Sequence, residues 1–392
     1  MSQNQITLPS PATHIESLTW FRFGELGNKI LMTTDTGQWH ALKHDEFSDL
    51  LSGELSEEND HYGELLRKGF IRNGFDVELH AGQLRQAKGY LQAGALQHRI
   101  HLSTDQDTLT IEQAKSILDH IFTCPTEFLT ISLIQGPKPP NAQLISFIHE
   151  FAEEKNKYEK RSLVFELHSS LATVDEALID VLLEKRIFVR AFFDGCSDVH
   201  NAQTQERQGP IYADALATIQ AIHTAAHEKD LNRDEYSVFA EVGVGSTAAG
   251  KGQSVVAGLT EAGICNFQVT PILQGPNAIS PSAYGLFIQE MMAVQESHED
   301  GDTVGLREVQ TGALLERIQL GEVNGTLLMS SPPSNGYNTR SYGPNGNIFP
   351  SCSALQLHDK GDPIFLLGNV SNQSSEDISN HPTVRTLMAA SL

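Results

Sequence analysis

After about residue 95 the chain settles into a regular alternation. Short runs of β-branched and aromatic residues trade places with longer stretches whose apolar positions recur every three to four residues. The strand-like runs are Arg99–Ser103, Phe128–Ile134, Ser162–Leu167, Ile187–Phe193, Tyr236–Val244 and Cys265–Leu273. The first intervening helix opens on Thr110 as cap with Gln113 as its capping-box partner, and places Ile111, Ile117, Leu118 and Ile121 on one face. The next is capped by Asn141 and carries Leu144, Ile145, Phe147, Ile148 and Phe151; the third carries Val174, Leu178, Val181 and Leu182. Helical patterns over 211–228, 252–263 and 282–297 complete six strand–helix units. Consecutive βα units with short connections predict an α/β fold whose parallel sheet curls into a barrel or part-barrel, because right-handed crossovers place every helix outside.

The flanks have other patterns. Residues 1–18 are polar, with Pro9 and Pro11, and are expected to be poorly ordered. Residues 19–76 read as a small unit, in which Lys29–Thr34 and Trp39–Leu42 form a hairpin through Asp35-Thr36-Gly37. Two short helices follow, one with Phe47, Leu50 and Leu51, the other with Tyr62, Leu65 and Leu66. This unit resembles the winged-helix peptide-recognition element at the front of many peptide-modifying enzymes; a structural cap is the other reading. A polar amphipathic helix over 77–95 leads into the barrel region, residues 77–300. Residues 301–392 read as an appended extension: a helix at Val304–Leu320, the loop Ser330–Gly336, short strands near Asn347–Phe349 and Pro363–Asn369, and an amphipathic turn at Val384–Met388.

Composition narrows the function classes. The content is 40% hydrophobic and 7% aromatic, with a mean hydropathy of -0.25, as in globular proteins. No apolar run reaches the ~18 residues of a membrane span and the first residues do not form a signal peptide, so a cytoplasmic location with no membrane partner is expected. Against 27 Lys+Arg stand 49 Asp+Glu, a formal charge of -22 that repels nucleic-acid phosphate. The cysteines, Cys124, Cys196, Cys265 and Cys352, lie far apart, a spacing that supports neither a disulfide framework nor a local metal motif. Cys124 and Cys265 read as small core groups.

Candidate chemistry gathers at strand ends, where α/β folds meet their ligands. Alternation puts Glu166 and His168 on one face of their strand, and Arg190, Phe192 and Asp194 on one face of theirs. If both face the barrel interior, a carboxylate, an imidazole and a guanidinium converge near the rim. They either bind a small polar ligand or form an ion-pair network that fills the interior. Asp194, Cys196 and His200 include metal-binding residue types but lack a fourth ligand nearby; a loop turned at Gly195 is the alternative. The run Gly245-Ser-Thr-Ala-Ala-Gly250-Lys251-Gly252 has the outline of a phosphate loop, yet Gly252 stands where a magnesium-binding hydroxyl belongs. A glycine-rich turn into the next helix explains it without nucleotide. No Gly-x-Ser-x-Gly or His-Glu-x-x-His motif is present.

Taken together, Phe21-Arg22-Phe23, Leu31–Gly37, Gly69-Phe70-Ile71, Phe193-Asp194-Gly195 with His200-Asn201, and Gly346–Pro350 with Gly361–Asn369 resemble segments of a known family. It is that of radical SAM peptide maturases with a SPASM-type extension, and the resemblance is closest to the B-type maturase of His-Xaa-Ser repeat systems. It implies a partial (βα)6 barrel, in agreement with the strand count. Members use a [4Fe–4S] cluster and S-adenosylmethionine to modify a ribosomal precursor peptide. In the family three cysteines after the first strand hold the cluster; here that loop, Ser103–Thr110, has none. The family's Gly-Gly-Glu-Pro corresponds to Gly136-Pro137-Lys138-Pro139, so Lys138 reverses the charge that meets the cofactor's ammonium. Of the extension's cysteines only Cys352 is retained. These departures imply a degenerate cofactor loop at Gly136 and Lys138, no iron–sulfur cluster and no S-adenosylmethionine. The expected role is that of a pseudoenzyme which binds or scaffolds a precursor peptide beside an active radical SAM maturase subunit, with Glu166, His168, Arg190, Asp194, His200 and Asn201 shaping the mouth. The second reading is an iron-independent enzyme that uses this polar cluster, with bound S-adenosylmethionine or another nucleotide.

Overall fold

The structure, a computed structural model, describes residues 18–34, 36–72, 76–87, 95–171, 174–207, 211–232, 236, 238–296, 306–320 and 334–390. The expectations for the polar N-terminus (1–17), for Asp35 and for residues 88–94 and 330–333 lie outside these. The chain divides into two compact units, residues 1–92 with 313–325, and residues 93–312 with 326–392.

In the first unit β1 (Phe21–Leu26), β2 (Lys29–Thr34) and β3 (Trp39–Lys43) form an antiparallel sheet, followed by α1 (His44–Ser52), α2 (Tyr62–Arg67) and α3 (Val77–Ala87). Alternation on β2 buries Ile30 and Met32, which pack with Leu42, Phe47, Leu50, Leu65 and Phe70. The hairpin of β2 and β3 matches the sequence reading. The third strand, β1, escaped it because five of its six residues are exposed, so no apolar alternation marks it.

The second unit is built on one ten-stranded sheet in the order β10-β9-β8-β7-β6-β5-β4-β11-β12-β13. In chain order its elements are β4 (Gln97–His101), α4 (Ile111–Ile121), β5 (Phe128–Ile134), α5 (Ala142–Glu159), β6 (Ser162–Ser169), α6 (Glu176–Glu184), β7 (Phe188–Phe192), α7 (Ser197–Arg207), α8 (Tyr212–Glu228) and β8 (Val238–Val244). There follow α9 (Gly252–Glu261), β9 (Asn266–Pro271), α10 (Pro281–Glu296), β10 (Arg307–Glu308), α11 (Val309–Leu320, whose residues from Ala313 onward belong to the first unit), β11 (Thr339–Tyr342), β12 (Asn347–Phe349), α12 (Cys352–Asp359), β13 (Gly368–Asn369), α13 (Ser375–Ser379) and α14 (Pro382–Ala390). Strands β4 to β10 run parallel.

Local chemistry sets the helix starts. The Thr110 hydroxyl accepts from Gln113 N while the Gln113 side chain accepts from Thr110 N, closing the capping box read from the sequence. Asn141 caps α5 through Leu144 N, and Asp175 caps α6 through Leu178 N. One face of each central strand is apolar and meets these helices: Ile131 and Leu133, Phe165 and Leu167, Val189 and Ala191, Ala240 and Val242 pack with Ile117, Ile145, Leu182, Ile222 and Leu259 in one continuous core.

Four expectations change. The C-terminal residues, read as an appended extension, contribute strands to this same sheet: β11 pairs parallel with β4, Arg340 opposite His98 and Tyr342 opposite Ile100. The strand expected over Pro363–Asn369 contracts to Gly368–Asn369, and the turn expected at Val384–Met388 is a full helix, α14. Cys265 is only partly buried, unlike Cys124.

Candidate functional site

The face of the sheet opposite the helices is polar, and its polarity follows from strand alternation. On β4 the alternating positions are Gln97, Arg99 and His101; β5 adds Ser132, β6 adds Glu166 and His168, β7 adds Arg190 and β8 adds Glu241. Parallel registration sets His168 beside Arg190 and Ser132 beside Glu166. Glu166 accepts hydrogen bonds from Arg190 Nε at 3.0 Å and Ser132 Oγ at 3.0 Å, and its Oε2 lies 3.3 Å from His168 Nε2. The other imidazole nitrogen, Nδ1, lies 3.2 Å from Glu241 Oε1, which is also 3.5 Å from an Arg190 terminal nitrogen. Arg190 is further held over the Phe239 ring at 4.2 Å. The expectation that Glu166, His168 and Arg190 converge is met, and Glu241 completes a closed ring of two carboxylates, one guanidinium and one imidazole.

Titration behaviour follows from this closure. Burial alone would raise the Glu166 carboxyl, but the hydrogen bond with His168 and the charges of Arg190 and His168 outweigh it and bring it down to about 2. Glu241 is lowered in the same way, with His168 and Arg190 overcoming its burial. For His168 burial favours the neutral ring, yet bonds to Glu166 and Glu241 prevail and raise it above the ordinary histidine value. The charges are thus compensated within the ring, as a buried ion-pair cluster requires.

Toward the strand ends the polar face opens into a cavity of about 470 Å³. Its walls include Arg99, His101, His168, Glu241 and, from the C-terminal segment, Cys352. The loop after β4 closes on itself: Ser103 and Thr108 form a β-bridge and Thr104 N donates to Asp107 O at 2.8 Å. Gly136 lies so close that a Cβ there would sit 2.0 Å from Ser103 O, which explains the need for glycine. Lys138 N donates to Ser103 Oγ at 3.2 Å, and its ammonium donates to the Thr108 hydroxyl. Gly136 and Lys138 therefore lock the loops after β4 and β5 together.

Asp194 does not join the ring. Strand β7 ends at Phe192, the pleat stops, and the buried Asp194 carboxylate instead accepts from Gly243 N at 2.8 Å and faces His200 Nδ1 at 3.1 Å. His200 is almost fully enclosed beside Phe193 and Tyr212. Asn201 Oδ1 accepts from Tyr212 N at 2.7 Å and so serves the start of α8. Gly195 turns at φ 78°, and the backbone of α9 approaches so closely that a Cβ on Gly258 would lie 1.8 Å from Gly195 O. These residues join β7, β8, α8 and α9 rather than line the cavity. The phosphate-loop outline also resolves: Gly252 N at the start of α9 donates to Glu290 Oε2 at 2.9 Å, so a carboxylate holds the place a phosphate would need. Among the described residues no three His, Cys, Asp or Glu side chains are arranged to hold a metal ion.

Sequence reasoning missed Arg99, Ser132, Glu241 and Cys352. The alternation Phe239, Glu241, Gly243 within the strand it did identify carried the signal for Glu241; nothing local announces Cys352.

No family model matches the chain, and neither does any curated protein. Solved structures do. Native anSMEcpe with bound AdoMet superposes with a TM-score of 0.57 at 13% identity, over 76% of this chain and 83% of that one. Native anSMEcpe with AdoMet and the Cp18Cys peptide gives 0.57 at 14%, over 75% and 82%. Streptococcus suis SuiB bound to precursor peptide SuiA gives 0.45 at 12%, over 86% and 84%. At these identities the likeness is one of fold: the chain has the mixed α/β, mostly parallel architecture of radical SAM enzyme structures. The group that fold implies, a thiolate-held [4Fe–4S] cluster, does not fit the residues present. Such a site needs three thiolates. The loop after β4 offers Ser103, Thr104, Asp105, Asp107 and Thr108, tied to one another and to Lys138. The four cysteines stand on separate elements, and only Cys352 reaches the cavity.

Proposed function

We propose that this chain is a radical-SAM-like pseudoenzyme that works as the peptide-binding or scaffold subunit of a ribosomal-peptide maturation system, beside an active radical SAM maturase and without a cluster of its own. The observation that carries the reading is the closed ring of Glu166, His168, Arg190 and Glu241, whose charges are spent on one another under an open cavity. A site of that kind holds its shape without cofactor and presents a fixed polar floor. Support for a peptide occupant comes from anSMEcpe, whose fold is shared and which has been seen with a bound peptide. Among the described residues β1 lies at the edge of its three-stranded sheet, follows Trp20 and carries the exposed Phe23 and Leu26, a place where an extended peptide can add as a further strand. The test is titration calorimetry and co-purification of the full chain with precursor peptides and maturases encoded beside its gene. Micromolar association with a peptide or a maturase is expected, and absence of both overturns the proposal. A second reading, iron-independent chemistry at the mouth, is favoured by one feature of the cavity wall, the thiol of Cys352.

A further inference from the structure

Cys352 is the first residue of α12, whose cap Ser351 accepts from Ala354 N at 3.1 Å. Its sulfur is 3.9 Å from an Arg99 terminal nitrogen and 3.6 Å from Ser341 Oγ, and the His101 imidazole lines the same cavity wall. A helix start, a guanidinium and an imidazole all favour thiolate. Burial alone would raise this thiol; the interaction with His101, the charge of Arg99 and the bond to Ser341 outweigh it and bring it down to about 6. Two further facts point to an occupant. His101, 6% exposed, lines the cavity and leaves its Nε2 without a partner, and Arg99 Nε is likewise unpartnered. The charged and titratable groups that face the thiol across the cavity are His101, Arg99, His168, Glu241, Asp105 and Asp359. That wall carries both signs of charge. The volume, about 470 Å³, is that of a small-molecule site.

We propose that Cys352 and His101 form a thiolate–imidazole pair that exchanges with a small disulfide bearing both amino and carboxylate groups, held in the mouth cavity. The proton of Cys352 passes to His101, and the thiolate attacks one sulfur of the ligand. The ligand's S–S bond breaks as the Cys352–sulfur bond forms. The departing thiolate takes the proton back from His101. The net change is one protein thiol and one disulfide giving one mixed disulfide and one free thiol, with no other oxidant. This step does not depend on peptide binding, so either proposal can fail alone.

The experiment uses the full chain, iodoacetamide and cystine, with each cysteine followed by peptide mass spectrometry. At pH 6 about half of a thiol with this value is ionised, against less than about one part in a hundred of an ordinary thiol. The lower basicity makes such a thiolate about tenfold less nucleophilic. Cys352 is therefore expected to alkylate about tenfold faster than the partly exposed Cys196 and Cys265 at pH 6, with a rate midpoint near 6. It should form a mixed disulfide with cystine that Cys352→Ser abolishes. His101→Gln should move the midpoint up by a unit or more. A wild-type midpoint above 8, or cystine adducts spread equally over the cysteines, overturns the proposal. The wild-type profile decides the matter even if His101→Gln does not fold.

Discussion

The two faces of the main sheet hold charge in opposite ways. In the ring on the cavity side every charge has a partner of opposite sign: Glu166 and Glu241 share Arg190 and His168. On the helix side Arg340 is fully buried, and among the described residues no carboxylate touches it. Its guanidinium donates instead to Gly336 O at 3.0 Å, Ser375 Oγ at 2.7 Å, Ser375 O at 3.1 Å and Ser379 Oγ at 2.7 Å. Residues 339–342 alternate, so Ser341 reaches Cys352 on one face while Arg340 and Tyr342 enter the other. Around the lone cation the neighbours stay neutral. Burial first, and then the Arg340 charge, lowers His98 well below the usual range and His120 to about 4. The cavity side can exchange protons and partners. The helix side is a fixed tie that fastens α13 to β11.

That contrast is most strongly tested at Arg340. Replacing it by Met keeps much of the volume but removes every donor, stranding Gly336 O and leaving the Ser375 carbonyl only its bond from the Ser379 hydroxyl. A loss of about 2–4 kcal/mol in urea-monitored unfolding is expected, since a stranded buried acceptor costs about 1–3 kcal/mol and hydrogen bonds to a charged group contribute about 1.5–3. A change under about 1 kcal/mol would show that the tie is dispensable and erase the distinction between the faces.

Glu166→Gln should cost less, about 1–2 kcal/mol, because the amide still accepts from Ser132 and Arg190 retains Glu241. Adding Glu241→Gln leaves Arg190 and His168 without any carboxylate. The pair of changes should therefore exceed the sum of the singles, as coupled sites do. Strict additivity would mean the four side chains do not act as a ring.

The same contrast separates what the chain discloses locally from what it does not. Glu166, His168 and Arg190 were legible because strand period and residue type suffice to place them. Glu241 obeyed the same rule and was overlooked only because Phe239, Glu241 and Gly243 do not read as a polar face. Asp194 failed the rule, since alternation stops where β7 stops and a free backbone N–H at Gly243 captures the carboxylate. Arg340, Cys352 and the pairing of β11 with β4 depend on contacts spanning more than two hundred residues, for which no local period exists. The closeness of Gly136 to Ser103 is likewise a property of two loops meeting, invisible in either alone.

The smallest expected effect is on pH dependence, at most about 1.4 kcal/mol per pH unit for each group, and it distinguishes the faces by sign. His168 is raised, so its contribution is complete below about pH 6.5 and is lost as pH rises through its folded value. His120 and His98 are lowered, so the folded state loses stability as pH falls from about 6.5 toward 4, where the unfolded chain binds protons that the folded one refuses. Glu166 and Glu241 lose theirs only below about pH 4.5, as acid approaches their folded values, which leaves the interval from 6.5 to 4.5 to histidines and to the protonation of the Cys352 thiolate. His40 and His149 are also lowered and act in that interval, so the readout is the difference between variant and wild type. His168→Gln should flatten the alkaline side of the stability profile and leave the interval from 6.5 to 4.5 unchanged. His120→Gln should do the reverse. If His168→Gln altered the acid side instead, the imidazole would be neutral in the folded ring, and the cavity floor would carry a net negative charge in place of a balanced one.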